Sequence, residues 1–319
     1  MKKGYNTNHK FYKYPIKMLK TVLKATLMSI FISGLSIQQS LAQTDAINTL
    51  ANFNDGLILD TSQQTLKLDG VDSITTFKKG NTIILQVAHD PKAAYEVREL
   101  VHKTGIPAVE TLMARGVLSY DDDLLIDMLG MHGSYAANMA MSETDLVIGL
   151  GARFDDRVTG KLSEFAKNAG VIHVDIDPAS ISKLVNADYP IVGDVKNVVK
   201  EMLKLTAKID ADKYESWRET INNFDALHPL TYHEDSDRLK PQWVIQRVGE
   251  LLGDDANIST DVGQHQMWTA QFYPFSRPRQ WITSGGLGTM GFGFPAAIGV
   301  KVATPDKVSI NFTGDGSIL

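Results

Sequence analysis

The residues best suited to chemistry in this 319-residue sequence sit just after short apolar runs. Thr313-Gly314-Asp315-Gly316-Ser317 follows Val308–Phe312. An aspartate in such a turn suits a hard divalent cation such as Mg²⁺, and the neighbouring backbone N–H groups suit a diphosphate. Asp261-Val-Gly-Gln264-His265-Gln266 follows Asn257–Thr260 and opens a helical pattern, so Gln264 and His265 are within reach of a phosphate there. Between these two segments, Gly285 to Gly293 contains five glycines in nine residues and then enters a helix. That density implies backbone lying close to something, either another strand or a ligand. Three such segments at successive strand ends of one sheet are far more specific than any one of them.

A second group lies earlier in the chain. Gly130-Met131-His132-Gly133-Ser134 precedes a helix from about Tyr135. A Gly-rich turn into a helix offers free N–H groups to a phosphate, or is simply a turn capped by Ser134. Gly149-Leu-Gly151-Ala-Arg153-Phe-Asp155-Asp156-Arg157 follows a strand and lacks the third glycine of the dinucleotide fingerprint. Arg153 and Arg157 there suit phosphate or carboxylate, or Asp155, Asp156 and Arg157 form a surface salt-bridge cluster. Asp175 and Asp177 end another strand, where an acid can hold a ribose hydroxyl or cap a helix ahead of Pro178. Asp194, after Gly193, has the same two readings. His173 alternates with Val174 and reads as a core histidine with its hydrogen bonds satisfied. Met139 and Met141 read as core. The eight histidines show no His-x₃-His metal spacing.

Positioning these residues requires strands that alternate with helices. Thr82–Val87, Gly105–Val109, Asp145–Leu150, Val171–Asp177 and Tyr189–Val192 read as five strands. Helices are expected over Ala93–Lys103 and Val195–Lys208. The alternation predicts a doubly wound parallel α/β domain over 82–208. Residues 209–240 are charged and read as a connector, with a helix at Lys213–Leu227. A second α/β unit over 241–319 takes helix Trp243–Leu252, strand Asn257–Thr260, helix Gln266–Phe272, strand Trp281–Thr283, helix Phe294–Val302 and strand Val308–Phe312. It reads as incomplete, since the chain stops on a strand-ending loop.

Composition bounds the rest. With 43% hydrophobic and 22% charged residues the chain is an ordinary globular one of about two domains. Its 32 basic and 37 acidic residues give a net −5, which disfavours a duplex-coating nucleic-acid binder. The absence of cysteine excludes disulfides, thiolate zinc sites and a cysteine nucleophile. Residues 1–43 hold seven lysines and no acid, which leaves a net −12 for the remainder. There Lys10, Lys13, Lys17, Lys20 and Lys24 precede the 13-residue apolar run Ala25–Ile37, and Ser40-Leu41-Ala42 follows. That is the order of a secretory signal peptide, and the run is short of the about 20 residues a membrane-spanning helix needs. Residues 44–81 carry short strand signals at 57–59, 65–68 and 74–77 and no site chemistry.

Together these stretches resemble the large catalytic subunit of the acetolactate synthase (acetohydroxyacid synthase) family. The resemblance is carried by Met128-Leu-Gly-Met-His-Gly-Ser-Tyr-Ala-Ala-Asn138, Gly151-Ala-Arg-Phe-Asp-Asp-Arg-Val-Thr-Gly-Lys161, Val174-Asp-Ile-Asp-Pro178 and Ile191-Val-Gly-Asp194. It continues in Asp261-Val-Gly-Gln-His-Gln-Met267, Ser284-Gly-Gly-Leu-Gly-Thr-Met-Gly-Phe-Gly293 and Thr313-Gly-Asp-Gly-Ser317. It implies a doubly wound central FAD-binding domain followed by a truncated thiamine-diphosphate-binding α/β domain. His132, Gly133, Arg153, Asp175 and Asp194 would line FAD, held largely for structure. Arg157 would meet the carboxylate of the second 2-oxo acid. Gln264 and His265 would face the diphosphate, and Gly316 and Ser317 would belong to the same site. Gly288 and Met290 would contact the aminopyrimidine, with Met290 helping to bend the cofactor, and Asp315 would bind Mg²⁺.

The implied activity is decarboxylation of pyruvate and condensation with a second 2-oxo acid, in branched-chain amino-acid biosynthesis. The implied partners are a second copy of the subunit, because the thiamine site lies between two, and a small regulatory subunit. Neither nucleic acid nor a stable membrane span is implied. The family location is cytoplasmic, at odds with the signal-like start. The family's pyrimidine-binding domain, with its glutamate, has no counterpart in residues 1–81. Val87-Ala-His-Asp-Pro91 stands where the family has a Gly-Gly-Gly turn near the flavin, and the asparagine completing the metal motif would lie beyond Leu319. The expectation is a fusion of an exported protein's start to an internal piece of such a gene, inactive alone.

Overall fold

A computed structural model describes residues 80–86, 91–206, 209–233 and 237–319. The signal-like segment, the strand signals of 44–81 and the stretch 87–90 lie outside the described residues. Six strands build the first sheet: β1 (Asn81–Leu85), β2 (Ala108–Glu110), β3 (Leu125–Met128), β4 (Leu146–Leu150), β5 (Gly170–Asp175) and β6 (Tyr189–Val192). All pair in parallel, in the order β3-β2-β1-β4-β5-β6. This is the doubly wound order, and its reversal between β1 and β4 opens a crevice at the carboxyl edge. The strand pattern gives five strands, and β3 is the sixth. It is a short edge strand behind three aspartates, irregularly registered on β2 and without β-branched density, so it carries little alternation to read.

Helix α1 (Pro91–Thr104) and α4 (Val195–Leu205) pack on each other over one face. Helix α2 (Tyr135–Glu143) covers the other, where Ala137 and Met141 meet Ile84, Val109, Val147, Val171 and Phe154. Covering both faces explains why β1 and β4 are buried throughout and read as near-continuous apolar runs. The short helix α3 (Asp156–Thr159) follows β4. The segment read as a connector is part of this domain as far as Leu227. Helix α5 (Glu215–Leu227) lays Trp217 and Ile221 on Ala136 and Ala140. The Trp217 indole donates to the Asn81 carbonyl at 3.1 Å, and Asn81 Nδ2 donates to the Tyr214 hydroxyl at 2.8 Å. Only glycine fits at residue 80, since a Cβ there would lie 2.3 Å from the Trp217 ring.

The second sheet is parallel and three-stranded, in the order β8-β7-β9: β7 (Ala256–Thr260), β8 (Trp281–Thr283) and β9 (Val308–Phe312). Its helices are α6 (Pro241–Leu252), α7 (Gln264–Phe272), α8 (Gly293–Ala303) and the short α9 (Asp315–Ile318). Pro241 starts α6 where a missing N–H costs nothing. Ile245, Ile258, Tyr273 and Phe275 form its core with Trp281 and Phe312. The two sheets are tied through the loop after β2. Arg98 donates to the carbonyls of Gly116 and Ser276 at 3.1 and 2.9 Å, and Tyr120 N–H donates to the Phe275 carbonyl at 2.8 Å. Among the described residues no helix is long and apolar enough to cross a membrane.

Candidate functional site

The three segments singled out at strand ends converge. The turn Gly263–His265 follows β7, the glycine-rich loop Ser284–Gly291 follows β8, and Thr313–Ser317 follows β9. They border a cleft of about 620 Å³ lined by Val262, Gly263, Gln264, His265, Met290 and Gly314 through Ser317, with Trp268 and Ile245 on its apolar side. Gln264 is the first residue of α7, and Asp315 and Gly316 stand at the start of α9, so both helix starts aim amides into one space.

The cradle depends on glycine where the backbone or a neighbour leaves no room for a side chain. Gly263 has φ 143°, and a Cβ there would lie 3.2 Å from the His265 ring. A Cβ on Gly316 would come within 3.1 Å of Met290 Cε. Gly288 has φ 63°, beside Val262, which accounts for a glycine ahead of Met290. Met290 itself is 59% exposed at the mouth of the cleft. Such exposure is uncommon for a methionine with only packing to do. Asp315 is exposed, and Ser317 is buried with its N–H on the Gly314 carbonyl at 3.0 Å.

His265 is the most informative side chain. Its Nε2 is buried without a hydrogen-bond partner, 3.9 Å from a carboxylate oxygen of Asp261. Burial pulls its pKa below the ordinary histidine value, and the Asp261 charge works against that pull. Asp261 is fully buried and accepts from Gly293 N–H and from the Thr313 hydroxyl, each at 2.5 Å. Asn311 Nδ2 on β9 is also buried and unpaired. Asp261 lies inside the motif read from the sequence but drew no role there, and Asn311 gives no signal within an apolar run.

At the carboxyl edge of the six-stranded sheet the same residues as read from the sequence gather. His132 and Gly133 follow β3, Arg153 follows β4, Asp175 ends β5 and Asp194 follows β6. The structure bears on the alternatives left open at these positions. Four of the five amides of the Gly130–Ser134 turn are bonded within the protein and so are not offered to a phosphate. Gly130 N–H donates to Asn138, Met131 N–H to the Arg157 carbonyl, Gly133 N–H to the Gly130 carbonyl and Ser134 N–H to the Met128 carbonyl. Ser134 also caps α2, accepting from Ala137 N–H at 3.2 Å. What the turn presents outward is the exposed His132 side chain, while its carbonyl accepts from Gln271 of α7 at 2.8 Å. Gly133 is required because a Cβ would sit 2.2 Å from the Met128 carbonyl oxygen.

Arg153 pairs with Asp155 at 3.1 Å, but Arg157 stays outside that pair. Among the described residues the exposed Arg157 guanidinium meets only Met131 Sδ, at 4.0 Å, so the surface salt-bridge cluster there does not include it. Asp175 is buried and accepts from Asp177 N–H at 2.9 Å. No helix starts at Pro178, so the cap reading there fails; Asp177 instead closes a turn on Ala179 N–H. Asp194 does cap α4, accepting from Asn197 N–H at 3.1 Å. His173 is a core residue, fully buried against Phe154 with ring centroids 4.8 Å apart, and among the described residues the Ala152 backbone is a polar neighbour of its ring without well-formed hydrogen-bond geometry. Thr111, at the end of β2, was not foreseen. Its hydroxyl is buried and unpaired at the same edge.

The residues present fit two groups. A diphosphate with a cation suits the cleft, because amides, Gln264, His265 and one carboxylate surround a glycine cradle. Among the described residues no cluster of three or more His, Asp or Glu could hold a metal ion. The single Asp315 carboxylate in the cleft suits Mg²⁺, which takes one or two carboxylates and completes its shell with phosphate oxygens and water. A long polar ligand suits the six-stranded edge, where the unpaired Thr111 hydroxyl and the side chains of His132, Arg153 and Arg157 lie beside the crevice.

Two family matches agree with this division. Residues 78–202 match the family described as thiamine pyrophosphate enzyme, central domain, and residues 261–319 match thiamine pyrophosphate enzyme, C-terminal TPP binding domain. The chain is 47% identical over 227 residues to the acetolactate synthase isozyme 3 large subunit of Escherichia coli, covering 70% of this chain and 40% of that protein. It is 49% identical over 219 residues to the acetolactate synthase large subunit of Lactococcus lactis, covering 69% and 38%. With the chloroplastic acetolactate synthase 1 of Nicotiana tabacum it shares 44% over 234 residues, covering 72% and 35%. The chain thus spans about 40% of the length of the curated relatives it matches.

Proposed function

The chain belongs to the thiamine pyrophosphate enzymes, and on that premise we propose that it supplies the flavin-holding domain and the diphosphate half of the thiamine site in an acetolactate synthase large subunit. The reaction is decarboxylation of pyruvate and joining of the product to a second 2-oxo acid. Bound thiamine diphosphate supplies the carbon nucleophile for that chemistry.

The residues of this chain bind and orient. Asp315 takes Mg²⁺, and the N–H groups at the starts of α7 and α9 face the diphosphate together with Gln264, His265, Gly316 and Ser317. Gly288 and Met290 shape the wall against which the aminopyrimidine rests. Arg157, exposed and in no ion pair among the described residues, holds the carboxylate of the second 2-oxo acid through its planar fork of donors. His132, Gly133, Arg153, Asp175 and Asp194 line FAD. A second copy of the subunit and a small regulatory subunit are the partners of this reading.

The observation that carries the proposal is the convergence of three strand-end segments on one glycine cradle around a buried, unpaired His265 nitrogen. The test is titration of the purified chain with magnesium thiamine diphosphate, followed by tryptophan fluorescence, since Trp268 lines the cleft. Saturable quenching that is lost in Asp315→Ala is expected, and FAD should bind in a separate titration. Failure to bind either cofactor at millimolar concentration would sink the proposal. Acetolactate production from pyruvate, measured in the same preparation, tests the whole reaction.

A further inference from the structure

Asp261 is a fully buried carboxylate that touches each of the strand-end segments of the cleft, and the reading above leaves it without a role. It stands at the end of β7. One oxygen accepts from the N–H of Gly293, where the glycine-rich loop enters α8, and the other accepts from the Thr313 hydroxyl, where β9 enters the Asp315 turn. The second oxygen also lies 3.9 Å from His265 Nε2. Resting on the diphosphate reading of the cleft, we propose that Asp261 is a positioning residue for a bound diphosphate: it sets from beneath the spacing of the Gly263–His265 turn, the start of α8 and the Thr313–Ser317 turn.

The geometry leaves little slack around it. Gly293 is seated on the end of β7 so closely that a Cβ would lie 2.9 Å from the Thr260 carbonyl carbon and 3.0 Å from Asp261 N. The His265 ring edge lies against Gly263 and Gly314, so it bridges two of the same segments on the cleft side. Hydrogen bonds to an ionised acceptor are short and directional. One carboxylate with two such bonds therefore fixes two turns relative to a third. A buried negative charge beneath a polyanion site also has a cost. That cost is offset in part by the hydrogen bonds from Gly293 N–H and the Thr313 hydroxyl, and Asp261 itself is not among the residues lining the cleft, as Thr313 and His265 are.

The test is a double-variant cycle on the 319-residue chain, with magnesium pyrophosphate as probe and calorimetry as readout. Asp261→Asn keeps the size and loses the charge. Thr313→Val removes the hydroxyl, and Thr313→Ser restores it. Asp261→Asn is expected to weaken binding at least tenfold and Thr313→Val at least fivefold. Thr313→Ser should bind within twofold of the parent, and Asp261→Asn with Thr313→Val no more weakly than the worse single variant. Backbone amide signals of Gly293 and of Gly314 to Ser317 are recorded for the unliganded parent and Asp261→Asn. Shifts in both segments are expected.

Binding by Asp261→Asn within twofold of the parent overturns the proposal, as do additive losses in the double variant. If the parent does not bind pyrophosphate, the diphosphate reading of the cleft fails. The amide signals then decide the positioning itself: unmoved signals overturn it, and shifts in both segments sustain it.

Discussion

At the carboxyl edge of the six-stranded sheet the Gly130–Ser134 turn satisfies most of its own backbone, although the Thr111 hydroxyl has no partner among the described residues, whereas the cleft of the three-stranded sheet is lined by a side chain, His265, with an open buried nitrogen. The Gly130–Ser134 turn returns its amides to its own neighbours and offers side chains outward. In the smaller domain His265 Nε2, in the cleft wall, and Asn311 Nδ2, on β9, are buried without partners among the described residues. Packing differs in the same sense. In the larger sheet the central strands are covered on both faces, while in the smaller one α8 is apolar and leaves Phe294, Ile298 and Val302 exposed. One region is a finished scaffold that presents charged side chains, and the other is a cradle whose polar groups await a ligand. Stability should therefore reside mainly in the first region, and sensitivity to ligand in the second.

The largest test removes a scaffold residue. Trp217 is buried on α2 and hydrogen-bonded to Asn81, at the edge where the chain closes over β1. Trp217→Ala should cost about 3–5 kcal/mol from the lost burial and the cavity. The loss should appear as a lowered urea midpoint of the six-stranded domain. A cost below about 1 kcal/mol would mean that α5 is a connector after all.

That residue also shows what can be read in advance. The alternation of strands and helices is strong because buried parallel strands are continuous apolar runs, and it locates five of six strands before any coordinates. The strand-end glycines and acids are legible because only a few residue types tolerate those turns. Trp217 in a charged stretch is not legible. The helix itself is read at Lys213–Leu227, but its partners Gly80, Asn81 and Ala136 are distant in sequence, so its docking on the first domain is not announced locally. The internal bonding of the Gly130 turn is hidden for the same reason, since Asn138 and Arg157 come from other elements. Asp261 lies within a recognised motif, yet its role depends on Gly293 and Thr313, 32 and 52 residues away.

A slightly smaller effect comes from pH, and it belongs to the scaffold alone. Glu110 at the end of β2 is fully buried. Burial raises its pKa from 4.5 to about 7, against the opposing Arg115 charge and the N–H groups of Leu118 and Gly116. The folded chain thus holds a proton that the unfolded chain has lost. This contribution is fully present below about pH 4.5 and is lost as pH rises to about 7, by an amount on the order of 3 kcal/mol. Burial also raises Asp127, which acts in the same direction. Burial lowers His173, so its contribution has the opposite sign: it is present above the ordinary histidine value and is lost as the solution becomes more acidic. Glu110→Gln should flatten the fall in melting temperature between pH 4.5 and 7, and His173→Leu should remove part of the loss on the acid side. An unchanged profile in Glu110→Gln would show that the loop after β2 does not depend on this carboxyl.

Within the cradle, Gly293→Ala probes the seating of α8. Its Cβ would lie 2.5 Å from Asn311 Oδ1 and 2.9 Å from the Thr260 carbonyl carbon, and backbone on one side cannot yield cheaply. Overpacking of this kind costs about 1–3 kcal/mol. The cost should fall on the smaller domain, seen as faster amide exchange in β7 and β9 with β1 and β4 unaffected. Equal acceleration in both sheets would mean that the two regions unfold as one cooperative unit and that the contrast between them is only one of surface chemistry.

The smallest stability effect should come from the residue with the sharpest functional assignment. Arg157 is exposed and, among the described residues, has only Met131 Sδ beside its guanidinium, so Arg157→Ala should change stability by less than about 0.5 kcal/mol. Arg115 is the internal control. It is buried between Glu110 and Asp127 at 3.2 and 3.1 Å, and removing it leaves two carboxylates unpaired in the core. Arg115→Ala should therefore destabilise severely, through uncompensated burial of charge. Comparing urea midpoints of the two variants, with pyruvate affinity measured for Arg157→Ala, separates an arginine that builds the scaffold from one that the scaffold holds out for a substrate. If Arg157→Ala costs more than about 1 kcal/mol, its exposed position is serving the fold, and the carboxylate-binding role loses its structural support. If stability holds and pyruvate binding falls, the side chain is kept where folding gains nothing from it, which is the arrangement expected of a group retained for binding.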